Sequence, residues 1–454
     1  MTGEAKRRPF LIGRAHLSIG HIWLLAPWVG LAIAAFQPIR DNSFLWHIRA
    51  GTIQLDAGEV LRSDPFSFAL GGEPWRTQSW LVELLYGKLE GWTNLSFVPY
   101  WILSTALVIF VVAGIRLSAV TRDRRAIGLA LVALVWMAVG FMVPRPVVVT
   151  FALLSLLLLA AKDRRLRWAL PLLIWIWAAA HGSFVLGIGY LVLDSLRRND
   201  RELAIQAGFG VVAASFTAHG WHVWETLLDF ARNRDALEYI AEWATPSVTD
   251  LSTLPFFIGL AGLLVSAMRH RISAKDLWVI VPFVAFGMTS QRALFPAMIV
   301  LLPWMVAWRD VESEISTETE NPYLVLSAAI VVFLVPFLLV SNAGQLDDAR
   351  FPVAAAEYLD IGPVFHDDYV GGYLVYAKWP DWKVFVDDRA EFYGAAFFDS
   401  IIRTRMGGPE WVETFERWDI EQVLVSADDS LVESLENAGW DYRYSDEAFV
   451  VMAR

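Results

Sequence analysis

The sequence predicts a mainly α-helical polytopic membrane protein with a small extracytoplasmic α/β domain at its C-terminal end. Of the 454 residues, 56% are hydrophobic and 22 are Trp, whereas soluble domains are roughly 45–50% apolar. The mean hydropathy of +0.44 is also typical of a membrane protein. Long apolar stretches recur through residues 1–341, while residues 342–454 are richer in acidic side chains and short apolar strings. These observations predict a transmembrane helix bundle followed by a compact soluble domain.

Charge and cysteine content exclude several classes of protein. The net charge is −11 and the Lys and Arg residues form no long basic tract, so nothing predicts a nucleic-acid partner. The chain has no Cys, which excludes disulfides and thiolate metal sites. The basic start "KRR" precedes an apolar run that is too long for a signal-peptide core, so residues 17–39 are predicted to be a retained span.

Apolar segments and basic loops together predict about eleven spans, although several segments are shorter than the ~20 residues of a simple spanning helix. Residues 168–196 form either two short passes or one long helix. Counting two passes puts the basic loops "KRRPFLIGR", "RLSAVTRDRR", "KDRRLR", "RRNDR" and "RHRISAK" on one side, as the positive-inside rule requires. The predicted spans are 17–39, 95–115, 126–143, 147–161, 168–180, 183–196, 203–218, 251–268, 276–289, 293–308 and 322–341.

This topology predicts a multi-pass protein of the plasma membrane with a cytoplasmic N-terminus and an extracytoplasmic tail. Asp41, Arg145, His181, Gln291 and Arg292 then lie at the same outer face, although they are far apart in sequence. Ionisable groups at membrane depth are costly and often mark a site. Their shared side therefore predicts a functional site at the outer surface.

The outer segment 41–94 is too long for a simple turn and predicts two amphipathic helices that lie on the membrane surface. In "DNSFLWHIRAGTIQLDAG", Asp41 is a suitable helix start and Gly58 a suitable end. An extended stretch with a turn at Asp64-Pro65 follows. The second helix is predicted over "TQSWLVELLYGKLEG".

The two predicted domains are residues 1–341, the membrane part, and residues 342–454, the soluble part. Within the second, period-two apolar strings predict strands and amphipathic pieces predict helices. The predicted strands are "GGYLVYA", "KVFVDD", "EQVLVSA" and "AFVVMA", and the predicted helices are "GPEWVETFERW" and "SLVESLENAG".

Several of these stretches resemble one group of membrane enzymes. The run "D…WHIRAG…DPFSF…GEPW…SWLVELLY" over residues 41–86 is similar to the first outer loop of bacterial polytopic proteins in the GT-C glycosyltransferase superfamily. The likeness continues in "PRP" (144–146), "AHGSFVLG" (180–187), "IAEWATPS" (240–247), and "GGYLVY" with "VFVDDRAEFYG" in the tail. It implies a GT-C-like bundle that transfers a sugar from a polyprenyl-phosphate donor to a glycan, lipid or protein acceptor.

The resemblance implies catalytic roles for two acidic residues of the first outer loop. An acidic residue just after the first span takes the proton of the acceptor hydroxyl in this superfamily, and Asp41 holds that position. Asp64 is the second candidate, because later acidic residues of this loop line some sites of the superfamily. The structural alternatives are a helix N-cap for Asp41 and an ordinary turn for Asp64.

Five basic side chains are candidates for binding the phosphate of a lipid-linked donor. A guanidinium forks onto phosphate oxygens and stabilises a departing phosphate, which suits Arg145, Arg292 and Arg49. His47 and His181 are the two imidazole candidates. The alternatives are arginines that reach to lipid headgroups and histidines that make hydrogen bonds between helices.

Glu242 and Trp243 are candidates for binding the acceptor or the sugar, since Trp faces stack on sugars. Trp is also the usual anchor at a membrane interface, which is the alternative. Glu83 is predicted to be a surface or packing residue of its helix. "DDR" at 387–389 is predicted to form a structural ion pair or turn, and a sugar-binding site is the alternative.

No cofactor is predicted, because the sequence has no P-loop, no GxGxxG unit, no HExxH and no EF-hand loop. A lipid-linked sugar is therefore the economical donor for an outward-facing site, while metal dependence and oligomeric state stay open. Two other functions remain possible: a catalytically silent scaffold that binds a partner through its tail, and a lipid or sugar transporter. Transport is disfavoured because the ionisable groups collect at one face.

Overall fold

The computed structural model describes residues 19–232, 241–309 and 344–454. Up to residue 309 the described chain is helical, with short 3₁₀ turns between several helices. The helices are α1 Ile19–Ala35, α2 Asn42–Ala57, α3 Trp80–Thr93, α4 Val98–Ser118, α5 Arg124–Ala138, α6 Val147–Lys162, α7 Leu170–Ala180, α8 Val185–Arg198, α9 Arg201–Ala214, α10 His222–Arg232, α11 Leu254–Met268, α12 Leu277–Gly287 and α13 Gln291–Val306.

The number of membrane spans stays a prediction. Across the described ranges, the helical run Trp80–Ser118 is the one that is long and apolar enough to cross a membrane, and it contains the predicted span 95–115. The predicted span 322–341 lies outside the described residues. The shorter apolar helices are Ala26–Ala35, Val147–Lys162, Leu254–Met268, Leu277–Gly287 and Gln291–Val306.

Residues 168–196 are divided into two helices, α7 and α8. His181 has an extended backbone, with φ −173° and ψ 146°, and it ends α7. A 3₁₀ turn over Gly182–Phe184 then leads into α8. The alternative of one continuous helix is therefore wrong.

Helix α2 begins and ends where the sequence predicts. The carboxylate of Asp41 accepts a hydrogen bond from the Phe44 N–H, and Gly58 ends the helix with φ 69°, a conformation that suits glycine. The prediction that α2 lies on a membrane surface is wrong, because Phe44, Leu45 and Ile48 are completely buried. These apolar side chains pack inside the protein instead.

Two glycines bring α2 against α3. A Cβ atom on Gly51 would lie 1.8 Å from the carbonyl oxygen of Glu83, and one on Gly87 would lie 2.6 Å from the Thr52 nitrogen. Only residues without a side chain allow the two backbones to approach so closely. This contact places the side chains of the first turn of α3 directly beside α2.

The C-terminal part, residues 344–454, is an α/β unit with a four-stranded sheet in the order β1-β2-β4-β3. Strands β1 and β2 are parallel, and the other two pairs are antiparallel. Its elements are β1 Val364–His366, α14 Asp368–Lys378, α15 Ala390–Tyr393, α16 Ala395–Arg405, α17 Glu410–Trp418, β2 Gln422–Ser426, α18 Ser430–Asn437, β3 Asp441–Ser445 and β4 Phe449–Ala453.

The strands predicted over "EQVLVSA" and "AFVVMA" and both predicted helices are confirmed, but two other strand predictions are wrong. "GGYLVYA" forms helix α14, and "KVFVDD" is an irregular segment with a single bridge from Val384 to Ser67. In α14, Gly371 and Gly372 allow contact with backbone on two sides: their Cβ atoms would lie 2.0 Å from the Val386 oxygen and 2.3 Å from the Asn42 oxygen. Helix α2 is thus enclosed between α3 and α14.

Candidate active site

A cavity of about 1440 Å³ lies between the helices and the C-terminal α/β unit. One wall is apolar and comes from α5, α6, α8 and α12 together with the segment after α5. The charged and other polar lining residues come mainly from α2, from the segments at Arg145 and Glu242, and from the α/β unit, which also contributes aromatic side chains; this part of the lining is called the polar wall. The apolar wall includes Trp136, Phe141, Leu154, Leu186 and Phe286.

A chain of ion pairs links four distant segments at the polar wall. Arg145 Nε donates to Asp41 Oδ2 at 2.5 Å, and Arg145 Nη1 donates to Glu242 Oε1 at 3.2 Å. The other Glu242 oxygen accepts from Arg292 Nε. Arg145, Glu242 and Arg292 line the cavity, whereas Asp41 lies behind Arg145 with only 6% of its side chain exposed. Asp41, Arg145 and Arg292, which the sequence predicts to lie at one face of a membrane, are thus joined by direct contacts.

Glu242 and Trp243 hold Arg292 from two sides. Burial opposes ionisation of Glu242, but the charges of Arg145 and Arg292 outweigh it and hold the pKa of this carboxyl below its ordinary value. The Arg292 guanidinium also lies 5.4 Å from the centroid of the Trp243 ring, a cation–π distance. Glu242 and Trp243 both line the cavity, and both contact Arg292, which is a candidate for binding the phosphate of the donor.

The two predicted histidines line the cavity and have different hydrogen-bond partners. His47 Nδ1 lies 2.8 Å from Glu83 Oε1, a buried carboxylate oxygen. His181 Nδ1 accepts from the Ser183 N–H at 3.1 Å. Glu83 is completely buried, so of the two predicted alternatives the surface position is wrong and the packing position agrees with the structure.

Two aspartates of the α/β unit also line the cavity: Asp388, which the sequence predicts to belong to a structural ion pair or turn, and Asp368, which the sequence analysis does not single out. Asp388 accepts from Trp46 Nε1 at 2.8 Å and from the Ser43 hydroxyl, and its neighbour in the cavity wall is Asp368. Burial and the neighbouring charge of Asp388 raise the pKa of Asp368 to about 6. The "DDR" motif marks Asp388 but not its place in the cavity, because Asp388 reaches the cavity through the packing of the α/β unit on α2.

Asp64 and Arg49, two predicted site residues, lie away from the cavity lining. Asp64 is 2% exposed; it accepts from the backbone N–H groups of Phe66 and Ser67 and pairs with Arg389 at 2.8 Å. Arg49 donates to the Tyr376 carbonyl from Nε at 2.8 Å. Both positions favour structural roles that attach the first outer segment to the α/β unit.

Asp367 and Asp429 share one arginine at the edge of the cavity. Arg405 Nε lies 2.7 Å from an oxygen of each. Burial raises the pKa of Asp367 to about 7; the Arg405 charge opposes this effect and the Asp429 charge adds to it. Asp367 is therefore protonated in the folded chain at pH values where it is ionised in the unfolded chain.

The contribution of Asp367 to the stability of the full chain is expected to fall as the pH rises from about 4 to about 7, because across this window the carboxyl keeps its proton in the folded state and loses it in the unfolded state. Asp367→Asn is expected to weaken this pH dependence, which thermal unfolding at a series of pH values measures. The exposed Asp381→Asn is the matched control. Equal pH dependence in wild type and Asp367→Asn would contradict the prediction.

No metal site is evident in the described ranges, since no three His, Cys, Asp or Glu side chains are grouped to bind one ion. The cavity lining combines instead seven arginines, two histidines and four carboxylates with many apolar side chains. Arginines beside apolar surface are chemically suited to an anion that carries a hydrophobic group.

Comparison with known proteins shows the fold. No family model and no curated protein matches the sequence. Among solved structures, the chain is similar to the archaeal oligosaccharyltransferase AglB from Archaeoglobus fulgidus, solved in complex with an inhibitory peptide and a dolichol-phosphate. The TM-score is 0.54 and the identity 12%, over 89% of this chain and 69% of that chain. The fold of this chain is therefore similar to that of this oligosaccharyltransferase.

Proposed function

We propose that this protein is a membrane glycosyltransferase that moves a sugar from a polyprenyl-phosphate donor to an acceptor outside the cytoplasm. One observation carries the proposal: Arg145 and Arg292, joined through Glu242, face a cavity whose other wall is apolar. A lipid phosphate needs this combination of cations and apolar surface. The dolichol-phosphate bound by the structural neighbour supports the same class of ligand.

The arginines act on the leaving group. In the transfer, the acceptor oxygen forms a bond to the anomeric carbon of the sugar, and the bond from that carbon to the phosphate oxygen breaks. The electron pair leaves with the polyprenyl phosphate, where negative charge increases. The positive charges of Arg145 and Arg292 stabilise that charge, and the ion pairs with Asp41 and Glu242 fix the guanidinium groups in place.

Asp41, the base predicted from sequence, has a geometry that favours a different role. Its Oδ1 accepts from the Phe44 N–H and its Oδ2 from Arg145, so both oxygens already have hydrogen-bond partners within the protein. This arrangement supports Asp41 as the residue that orients Arg145 and caps α2. The prediction that Asp41 takes the acceptor proton remains to be tested against that role.

The acceptor enters from the polar side in this proposal. Asp368, Asp388 and the Trp243 ring lie there, and carboxylates and indole faces are common partners of polyhydroxylated groups. The acceptor is therefore proposed to present a hydroxyl group within this polar wall, whether it belongs to a glycan, a lipid or a protein.

The test uses the full chain in lipid nanodiscs with a panel of polyprenyl-phosphate-linked hexoses and pentoses, each labelled in the sugar. Release of polyprenyl phosphate reports transfer to any acceptor, including water, and membrane extracts supply acceptors. Release above that of protein-free nanodiscs with at least one donor is expected. Its absence with every donor, while undecaprenyl phosphate still binds, would favour a lipid-binding scaffold or transporter.

The proposed topology places the cavity outside the cytoplasm. A reporter enzyme that works only outside the cytoplasm, fused after Arg454, is expected to be active because the basic loops favour the cytoplasmic side. The same reporter fused after Lys162, within a basic loop, is the control and is expected to be silent. A silent reporter after Arg454 and an active one after Lys162 would contradict both the proposed topology and the outward-facing site.

A further inference from the structure

We infer that His47 is the proton acceptor of the proposed transfer and that Glu83 is its positioning residue, so that α2 and α3 together carry a carboxylate–imidazole pair. The inference rests on the proposed function and adds the group that activates the acceptor. It starts from the Glu83 carboxylate, which is completely buried and lies within hydrogen-bond distance of His47, the one histidine of α2.

Helix packing builds the pair. His47, Gly51 and Gln54 lie on one face of α2 at helical spacing, and that face meets α3. Because Gly51 lets the backbones touch, the Glu83 side chain reaches His47 Nδ1 at 2.8 Å and Gln54 Nε2 at 2.8 Å. The Thr77 hydroxyl also donates to Glu83. Three donors thus fix a carboxylate that would be costly to bury alone.

The hydrogen bond between His47 and Glu83 decides which ring nitrogen of His47 carries the proton. A carboxylate accepts, so His47 Nδ1 donates to Glu83 and the neutral imidazole keeps a lone pair on Nε2. In the part of the chain that the structure describes, His47 Nε2 has no hydrogen-bond partner, and His47 lines the cavity. This nitrogen is available to accept a proton.

His181 has the opposite arrangement. Its Nδ1 accepts from the Ser183 backbone N–H, so the proton of the neutral ring lies on Nε2. His181 Nε2 is therefore a hydrogen-bond donor and has no lone pair with which to accept a proton. The two histidines of the same cavity supply one donor and one acceptor.

Two carboxylates near the cavity, Asp41 and Asp388, are less suited to take the proton. Both oxygens of Asp41 are engaged by Phe44 and Arg145, and those of Asp388 by Ser43 and Trp46. In the proposed step the acceptor hydroxyl gives its proton to His47 Nε2 as its oxygen bonds to the anomeric carbon. The polyprenyl phosphate leaves with the electron pair of the broken bond, and Glu83 stabilises the resulting imidazolium.

The test measures polyprenyl phosphate release by the full chain in nanodiscs with the best donor of the panel. His47→Gln is expected to lower turnover by about 10²–10⁴-fold, while the affinity for undecaprenyl phosphate stays unchanged. Glu83→Gln is expected to lower turnover less. In the His47→Gln background it is expected to add no further loss of turnover, because Glu83 acts through His47.

The pH profile separates a base from a phosphate ligand. Charged or titratable groups around His47 are Glu83 on α3, His181 before α8, and Asp388 and Arg389 next to Trp46. If His47 accepts the proton, turnover rises with pH, and Glu83→Gln moves this rise to lower pH because an amide stabilises the imidazolium less. If a charged His47 binds phosphate, turnover instead falls as the pH rises and Glu83→Gln moves that fall.

A second His–Glu pair provides the matched control. His222 Nδ1 lies 2.5 Å from Glu225 Oε2, but both side chains are about half exposed and neither lines the cavity. His222→Gln and Glu225→Gln are expected to keep full turnover. Thermal unfolding of every variant controls for folding, and added imidazole is expected to restore turnover to His47→Gly.

Three results would overturn the inference. The first is native turnover in a folded His47→Gln protein. The second is a His47→Gln protein that loses undecaprenyl phosphate affinity while its turnover with saturating donor is normal, since this would make His47 a phosphate ligand. The third is a wild-type protein that releases no polyprenyl phosphate, and this result alone would also remove the proposed function.

Discussion

Arg145→Gln is expected to lower the rate of polyprenyl phosphate release by about 10²–10³-fold, the usual cost of removing one group that stabilises developing negative charge. Arg145 holds a central place in the ion-pair chain, with Asp41 on one side and Glu242 on the other. Glutamine keeps part of the side-chain length and removes the charge. Release from the labelled donor panel measures the effect.

Two other variants show how Arg145 acts. Asp41→Asn preserves the cap of α2, because Asn caps helices as well as Asp, but removes the charge that orients Arg145. It is expected to weaken undecaprenyl phosphate binding in the same direction as Arg145→Gln. If Asp41 were instead the base, Asp41→Asn would abolish turnover and leave lipid binding intact.

The control for Arg145 is Arg269→Gln, at an exposed residue whose guanidinium donates to the Trp308 carbonyl, away from the cavity. It is expected to keep native turnover and lipid affinity. Native release by a folded Arg145→Gln protein would contradict the assignment of this arginine to the leaving phosphate.

Arg389→Met is expected to destabilise the protein by about 3–5 kcal/mol, the cost of leaving buried charges without their partner. The Arg389 side chain is 1% exposed and pairs with Asp64 at 2.8 Å and with Asp387 at 2.6 Å. Its guanidinium also lies 4.4 Å from the centroid of the Trp75 ring. Removing the cation leaves two buried carboxylates facing each other.

Thermal unfolding of the full chain measures this loss, and Arg403→Met, at an exposed position of α16, is the control. Adding Asp64→Asn and Asp387→Asn to Arg389→Met is expected to recover part of the stability, because no buried charge then remains in the triad. A triple variant that is less stable than Arg389→Met alone would show that the polar contacts, rather than the charges, dominate.

The sequence predicts local features of the site well. The start of α2 at Asp41 and its end at Gly58 follow from capping chemistry, which depends on residues close in sequence. The alternation of basic loops predicts that Arg145 and Arg292 share one face of a membrane, and both line the cavity, while the topology itself stays a prediction. Sidedness alone does not predict that Glu242 joins the two arginines.

Long-range packing limits what the sequence predicts. Asp388 reaches Ser43 and Trp46 across more than 340 residues, and no periodicity marks such a contact. Helix α14 was predicted as a strand because its apolar residues alternate over a short stretch, but Gly371 and Gly372 are needed for contact with backbone on either side. Glu83 lies on a helix face that appears polar in sequence, yet α2 covers it completely.

The enclosure of α2 has a consequence for how the protein is made. Asn42 donates to the Asp368 carbonyl and accepts from the Tyr373 N–H, partners that the ribosome adds 326 and 331 residues later. Until then, the polar groups of α2 that face α14 have only water or a chaperone to bind. The polar wall therefore forms after most of the chain has been translated, and nascent chains that end before α14 carry the arginines without a closed pocket.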